Sequence, residues 1–145
     1  MIDSIKEAEV KDIPMIQAFA DRVGVTLPEP HERPIYLMLV KGGALSACIG
    51  LTQVKSETIL RALIVDAKQT NIKEILVLLK KALEYASEYQ ASHAVYLLTE
   101  TPHLLLQLAG FKEVEAEHLP PVLRALPLFQ EKTDRARVLV HDFLS

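Results

Sequence analysis

Thr58-Ile-Leu-Arg-Ala-Leu-Ile-Val65, Asp66-Ala-Lys-Gln-Thr-Asn71 and Ile72-Lys-Glu-Ile-Leu-Val-Leu-Leu-Lys-Lys-Ala-Leu-Glu-Tyr-Ala-Ser-Glu-Tyr89 follow one another without a break. The first stretch is too apolar on both alternating faces for a solvated edge, so it reads as a central strand. The second is polar and reads as a loop. In the third, Ile72, Ile75, Leu76, Leu79, Leu83, Ala86 and Tyr89 recur at spacings of three and four, with Lys73, Glu74, Lys80, Lys81, Glu84 and Glu88 between them. That is a long helix laying one face on a sheet. No glycine occurs from Leu51 to Ala109.

Downstream, His93–Leu98 reads as a strand, Pro102–Ala109 as a short helix closed by Gly110, and Phe111–Val114 as a further strand. Leu119-Pro-Pro-Val-Leu-Arg-Ala-Leu126 can form one or two helical turns, and Arg137–Phe143 alternates as a final strand. Upstream, Ser4–Val10 reads as an opening strand, and Asp12-Ile13-Pro14 starts a helix that stops at Gly24. Leu27-Pro-Glu-Pro-His-Glu-Arg-Pro34 must be loop, because each proline removes a donor and restricts its predecessor. Ile35–Lys41 and Ala44–Gln53 are strands joined by Gly42-Gly43, which supplies the positive φ of a tight hairpin. This order predicts an α/β (α+β) fold with a central mixed sheet of six or seven strands flanked by helices. Its expected core includes Ile64, Leu76, Leu79, Leu83, Tyr96, Leu98 and Phe111.

With 145 residues, half of them apolar, one domain over 1–145 is expected. A net charge of −3 with both signs scattered builds no basic field, which argues against nucleic acid as a partner. No apolar run approaches the ~18 residues of a membrane span, and the opening Met1-Ile-Asp-Ser-Ile-Lys-Glu lacks the order of a signal peptide. A cytoplasmic protein with no membrane partner is the expectation. Cys48, the single cysteine, reads as a small strand hydrophobe rather than a nucleophile. His31, His93, His118 and His141 are widely separated, so no metal site is expected.

Taken together, these elements resemble the GNAT acetyltransferase superfamily over nearly the whole chain. The most specific pieces are Ala47-Cys-Ile-Gly-Leu51 leading into Leu60–Val65, and Val95-Tyr-Leu-Leu-Thr-Glu-Thr101 followed by Leu104–Phe111. The latter and the tail Leu119–Phe129 are similar to small amino-acid-type acetyltransferases of arsenic-resistance operons. In that superfamily a loop R/Q-x-x-G-x-G/A opens the long helix, and its amides bind the pyrophosphate of acetyl-CoA. Here the matching positions fall on Thr70, Lys73 and Ile75, or one residue earlier on Gln69, Ile72 and Glu74; neither register restores the glycines. The loop is degenerate. The resemblance implies cofactor contacts from Ile64, Val65, Lys68, Thr70, Asn71, Ile72, Lys73 and Thr99, with Lys68 and Lys73 supplying charge to phosphate. The alternative reading is an ordinary capped helix start, with Thr70 or Asn71 as N-cap and Glu74 in the first turn. The family tyrosine that protonates the departing thiolate is replaced by Leu106.

Direct transfer needs a base for the amine proton. Glu100, just past the strand His93–Leu98, is the candidate. Thr101 and His103 start the next helix, where capping explains them as well as chemistry does. Arg61, a charge inside a central strand, and Arg124 are candidates for a substrate carboxylate; Arg124 can instead pair with Glu115 or Glu117. Two functions follow. One is an N-acetyltransferase using acetyl-CoA as co-substrate on a small amine or amino acid, with a homodimer allowed. The other is a catalytically degenerate binding or regulatory module acting through Leu119–Phe129.

Overall fold

The computed structural model describes residues 4–100, 104–132 and 134–143. In chain order the elements are β1 (Ser4–Glu7), α1 (Ile13–Val23), β2 (Ile35–Lys41), β3 (Ala44–Val54), β4 (Glu57–Val65), α2 (Ile72–Glu88), β5 (Ala94–Thr99), α3 (Leu104–Leu108), β6 (Lys112–Val114), α4 (Pro121–Arg124), α5 (Pro127–Gln130) and β7 (Arg137–Asp142). The seven strands form one sheet in the order β1-β2-β3-β4-β5-β7-β6. The chain divides into two compact units, one holding the residues up to Thr52 with Leu60–Glu84, the other holding Gln53–Ile59 with the residues from Tyr85 onward.

In the first unit, β1 pairs antiparallel with β2 and β2 with β3, whose register shifts between Leu39 and Val40. Gly42 and Gly43, at φ 57° and 77°, make the hairpin turn in the left-handed region that glycine adopts without strain. α1 carries Pro14 in its first turn and ends where Gly24 turns left-handed. Its Ile16, Phe19 and Ala20 pack on Tyr36, Met38, Cys48, Ala62 and Ile64. Leu78, Leu79, Ala82 and Leu83 form the buried stripe of α2 in this unit. Ile72, expected on that stripe, is 62% exposed because the first turn lies beyond the apolar face. Leu76 is half-buried rather than part of the core proper.

In the second unit, β4 and β5 run parallel, with Thr58 opposite Val95 and Ile59 opposite Tyr96. β7 then pairs antiparallel with all of β5 on one side and with β6 on the other. β5 begins at Ala94, and just before it the His93 amide donates to Ser56 O while its carbonyl accepts the Phe143 amide. Leu119, Leu123 and Phe129 are buried against Ile59 and Val138, with half-buried Tyr96 and Leu98 beside them. The apolar side chains of the segment expected to meet a partner are thus spent on this unit's own core. Phe111 is buried, whereas Tyr89, at the far end of the expected stripe, is exposed and stacks at 5.1 Å on Tyr85.

Candidate functional site

At the end of β4 the chain turns tightly before α2. The Asp66 amide donates to Ser46 O at 2.9 Å, its carboxylate accepts from the Lys68 amide at 3.1 Å, and Gln69 N–H closes the turn onto Asp66 O at 3.0 Å. Thr70, buried, donates through Oγ1 to the same Ser46 carbonyl at 2.9 Å. Thr70 therefore ties the loop to β3, and Asn71 is the N-cap.

Asn71 and Glu74 form a reciprocal capping box. The Glu74 amide donates to Asn71 Oδ1 and the Asn71 amide to Glu74 Oε1, each at 2.9 Å. Lys41, at the end of β2, reaches the same Oε1 at 2.9 Å and Gln69 O at 2.6 Å. The Asn71 amide first, and then Lys41, hold the Glu74 carboxyl below its usual range. Ile72 and Lys73 keep the first-turn amides without a partner among the described residues. Lys68, Ile72 and Lys73 present exposed side chains there. This arrangement fits a self-capped helix and does not fit a diphosphate cradle. No glycine opens the backbone, and a carboxylate already holds an N-terminal amide. Sequence reasoning placed Glu74 in the first turn but missed Lys41, which is 33 residues away and carries no local signal.

Arg61, four residues before Val65, pairs with Glu32 of the loop after α1. Tyr36 lies buried near this pair, its phenol pushed up chiefly by burial. Beside it a cavity of about 440 Å³ opens between α1 and the proline loop, lined by Gln17, Asp21, Leu27, Pro28, Arg33 and Tyr36. Burial drives the Cys48 thiol up to about 12, which keeps it protonated and inert as a nucleophile.

In the second unit, Thr99 ends β5 and Glu100 follows it; both line a cavity of about 360 Å³ with Leu98, Pro127, Leu128 and Lys132. Thr101 and His103 lie outside the described residues. Leu106 is buried in α3 and offers no proton. Arg124 is exposed and donates to the Glu117 carbonyl at 3.3 Å rather than to a carboxylate. At the opposite end of β5, Glu57 is buried, 3.5 Å from His93 Nδ1, and accepts the Tyr96 hydroxyl. Burial first, then the Glu57 charge, push Tyr96 up to about 12. Among the described residues no group of three His, Cys, Asp or Glu side chains could hold a metal ion, and no helix is long and apolar enough to cross a membrane.

In comparisons with known proteins, no family model and no curated protein matches the chain. Solved structures do match. N-acetylglutamate synthase from Neisseria gonorrhoeae, complexed with coenzyme A and N-acetyl-glutamate, aligns with TM-score 0.76 and 19% identity over 98% of this chain and 35% of that one. The chain thus spans about a third of that protein's length. An acetyltransferase of the GNAT family from Staphylococcus aureus aligns with TM-score 0.71 and 17% identity, covering 98% of this chain and 99% of its own. The ribosomal-protein-S18-alanine N-acetyltransferase from Escherichia coli aligns with TM-score 0.71 and 18% identity, covering 98% and 94%. The chain has the GNAT acetyltransferase fold.

Proposed function

We propose that the chain is a GNAT-type N-acetyltransferase that works as a single cytoplasmic domain, with acetyl-CoA as acetyl donor and a small amine or amino acid as acceptor. The observation that carries this reading is Glu100, a carboxylate just past the end of β5 that lines a cavity beside Thr99. In this role Glu100 takes the proton of the acceptor amine, directly or through one water. Leu106 gives no proton to a departing group, so that proton comes from solvent. Arg61 suits an acceptor carboxylate if it exchanges Glu32 for it, the two being chemically equivalent partners for a guanidinium. The likeness to a synthase solved with N-acetyl-glutamate agrees with an amino-acid acceptor.

A second reading, a catalytically degenerate module, is favoured by the Asn71–Glu74 capping box at the start of α2. Turnover decides between them. Free thiol released from acetyl-CoA is measured across a panel of amines and amino acids. Acceptor-dependent release supports the transferase, and release from none of them, together with no thermal shift at millimolar acetyl-CoA, establishes the module.

A further inference from the structure

We infer that Glu74 is a specificity-determining residue that keeps a diphosphate off the start of α2, so that a thioester donor is held by its acyl-pantetheine arm rather than by its phosphates. An N-terminal helix turn attracts anions through unpaired amides and the dipole. Here the chain supplies the anion itself. Glu74 is only 8% exposed, its Oε1 accepts the Asn71 amide at 2.9 Å, and the Lys41 ammonium sits on the same oxygen at 2.9 Å.

The Glu74 carboxylate thus already holds the Asn71 amide and the Lys41 ammonium on one oxygen. A diphosphate placed over the Ile72 and Lys73 amides would stand one residue from a held carboxylate, and like charges so close oppose binding. It would also find Lys41 engaged twice, by Glu74 and by Gln69 O at 2.6 Å. Among the described residues, the cations Lys68 and Lys73 beside this turn are exposed, where phosphate contacts are weak and screened by salt. The same substitution that removes the carboxylate charge releases Lys41 toward the helix start. Glu74→Gln keeps an amide oxygen for the Asn71 N–H, since glutamine serves in a capping box, so the fold of the turn is retained.

The donor consequence rests on the transferase reading, but the exclusion of diphosphate does not. The direct test is titration of inorganic pyrophosphate into ¹⁵N-labelled protein, following the Ile72 and Lys73 amide resonances. The expected result is no saturable shift in the wild type and, in Glu74→Gln, saturable shifts at those amides with at least tenfold tighter binding that weakens as salt is raised. Saturable binding of pyrophosphate by the wild type at these amides, or no gain in the variant, overturns the inference. If Glu74→Gln does not fold, the wild type alone decides. Acetyl-CoA and S-acetylpantetheine, which lacks the diphosphate, should then bind within about threefold of each other. An advantage of acetyl-CoA of tenfold or more overturns the proposal. Failure of both thioesters to bind would remove the transferase reading, while the pyrophosphate titration would still stand on its own.

Discussion

Arg61 in β4 and Glu32 in the proline loop form an ion pair with both side chains largely withdrawn from water, 19% and 25% exposed. A charge inside a strand must be answered, and the answer comes from a loop 29 residues earlier, stiffened by three prolines. The pair thus clamps the proline loop to the sheet of the first unit.

A double-mutant cycle with Arg61→Gln and Glu32→Gln, read by urea unfolding, should give a coupling energy of about 0.5–3 kcal/mol. Additive single effects would show that the pair does not hold the loop.

Leu79 is fully buried on the sheet-facing stripe of α2. Leu79→Ala should cost about 2–5 kcal/mol of unfolding free energy, the transfer loss plus the cavity left behind. A change below 1 kcal/mol would mean that the helix face can collapse onto the vacancy, contrary to this packing.

Glu57 and Glu74 should act oppositely on stability as pH changes. Burial raises the Glu57 carboxyl above its unfolded value despite the opposing effects of Tyr96 and His93, with Asp142 adding to the rise. Its contribution is present below the unfolded carboxylate value and is lost as pH rises through the folded one. Glu74 is lowered, so its contribution is present above the unfolded value and lost as pH falls through the folded one. In chemical denaturation from pH 3 to 8, Glu57→Gln should therefore gain on the wild type as pH rises, and Glu74→Gln should gain on it as pH falls. Parallel pH profiles for both variants would contradict these assignments.

In the proposed transferase, Glu100→Gln should lower kcat by ~100-fold or more while leaving donor affinity within about twofold, because the lost group acts on the amine proton. Unchanged turnover would dismiss Glu100 as the base.

Much of the fold was legible from particular residues. The glycine pair 42-43, Pro14 with Gly24, and Gly110 at φ 97° mark turns and helix ends because their backbone limits act locally. The stripe through Leu79 and Leu83 placed α2 by periodicity alone, yet it misjudged Ile72 and Tyr89, since periodicity does not say where the covering sheet ends. The tail Leu119–Phe129 showed apolar character without showing whether a partner or its own unit would cover it.

The candidate site divides along the same line. The sequence by itself determined that the helix start lacks glycine, that Asn71 and Glu74 stand at capping-box spacing, and that Glu100 follows the strand. These are properties of neighbours in the chain, set by backbone geometry over a few residues. Only the tertiary structure decided that Lys41 neutralises Glu74, that Glu32 answers Arg61, and that Thr70 is bound to Ser46 O. Those partners lie 24 to 33 residues apart in the chain, and they meet because burial of apolar strands brings the ends of β2, β3 and β4 together. Side-chain charge leaves no local pattern by which such a partner can be read.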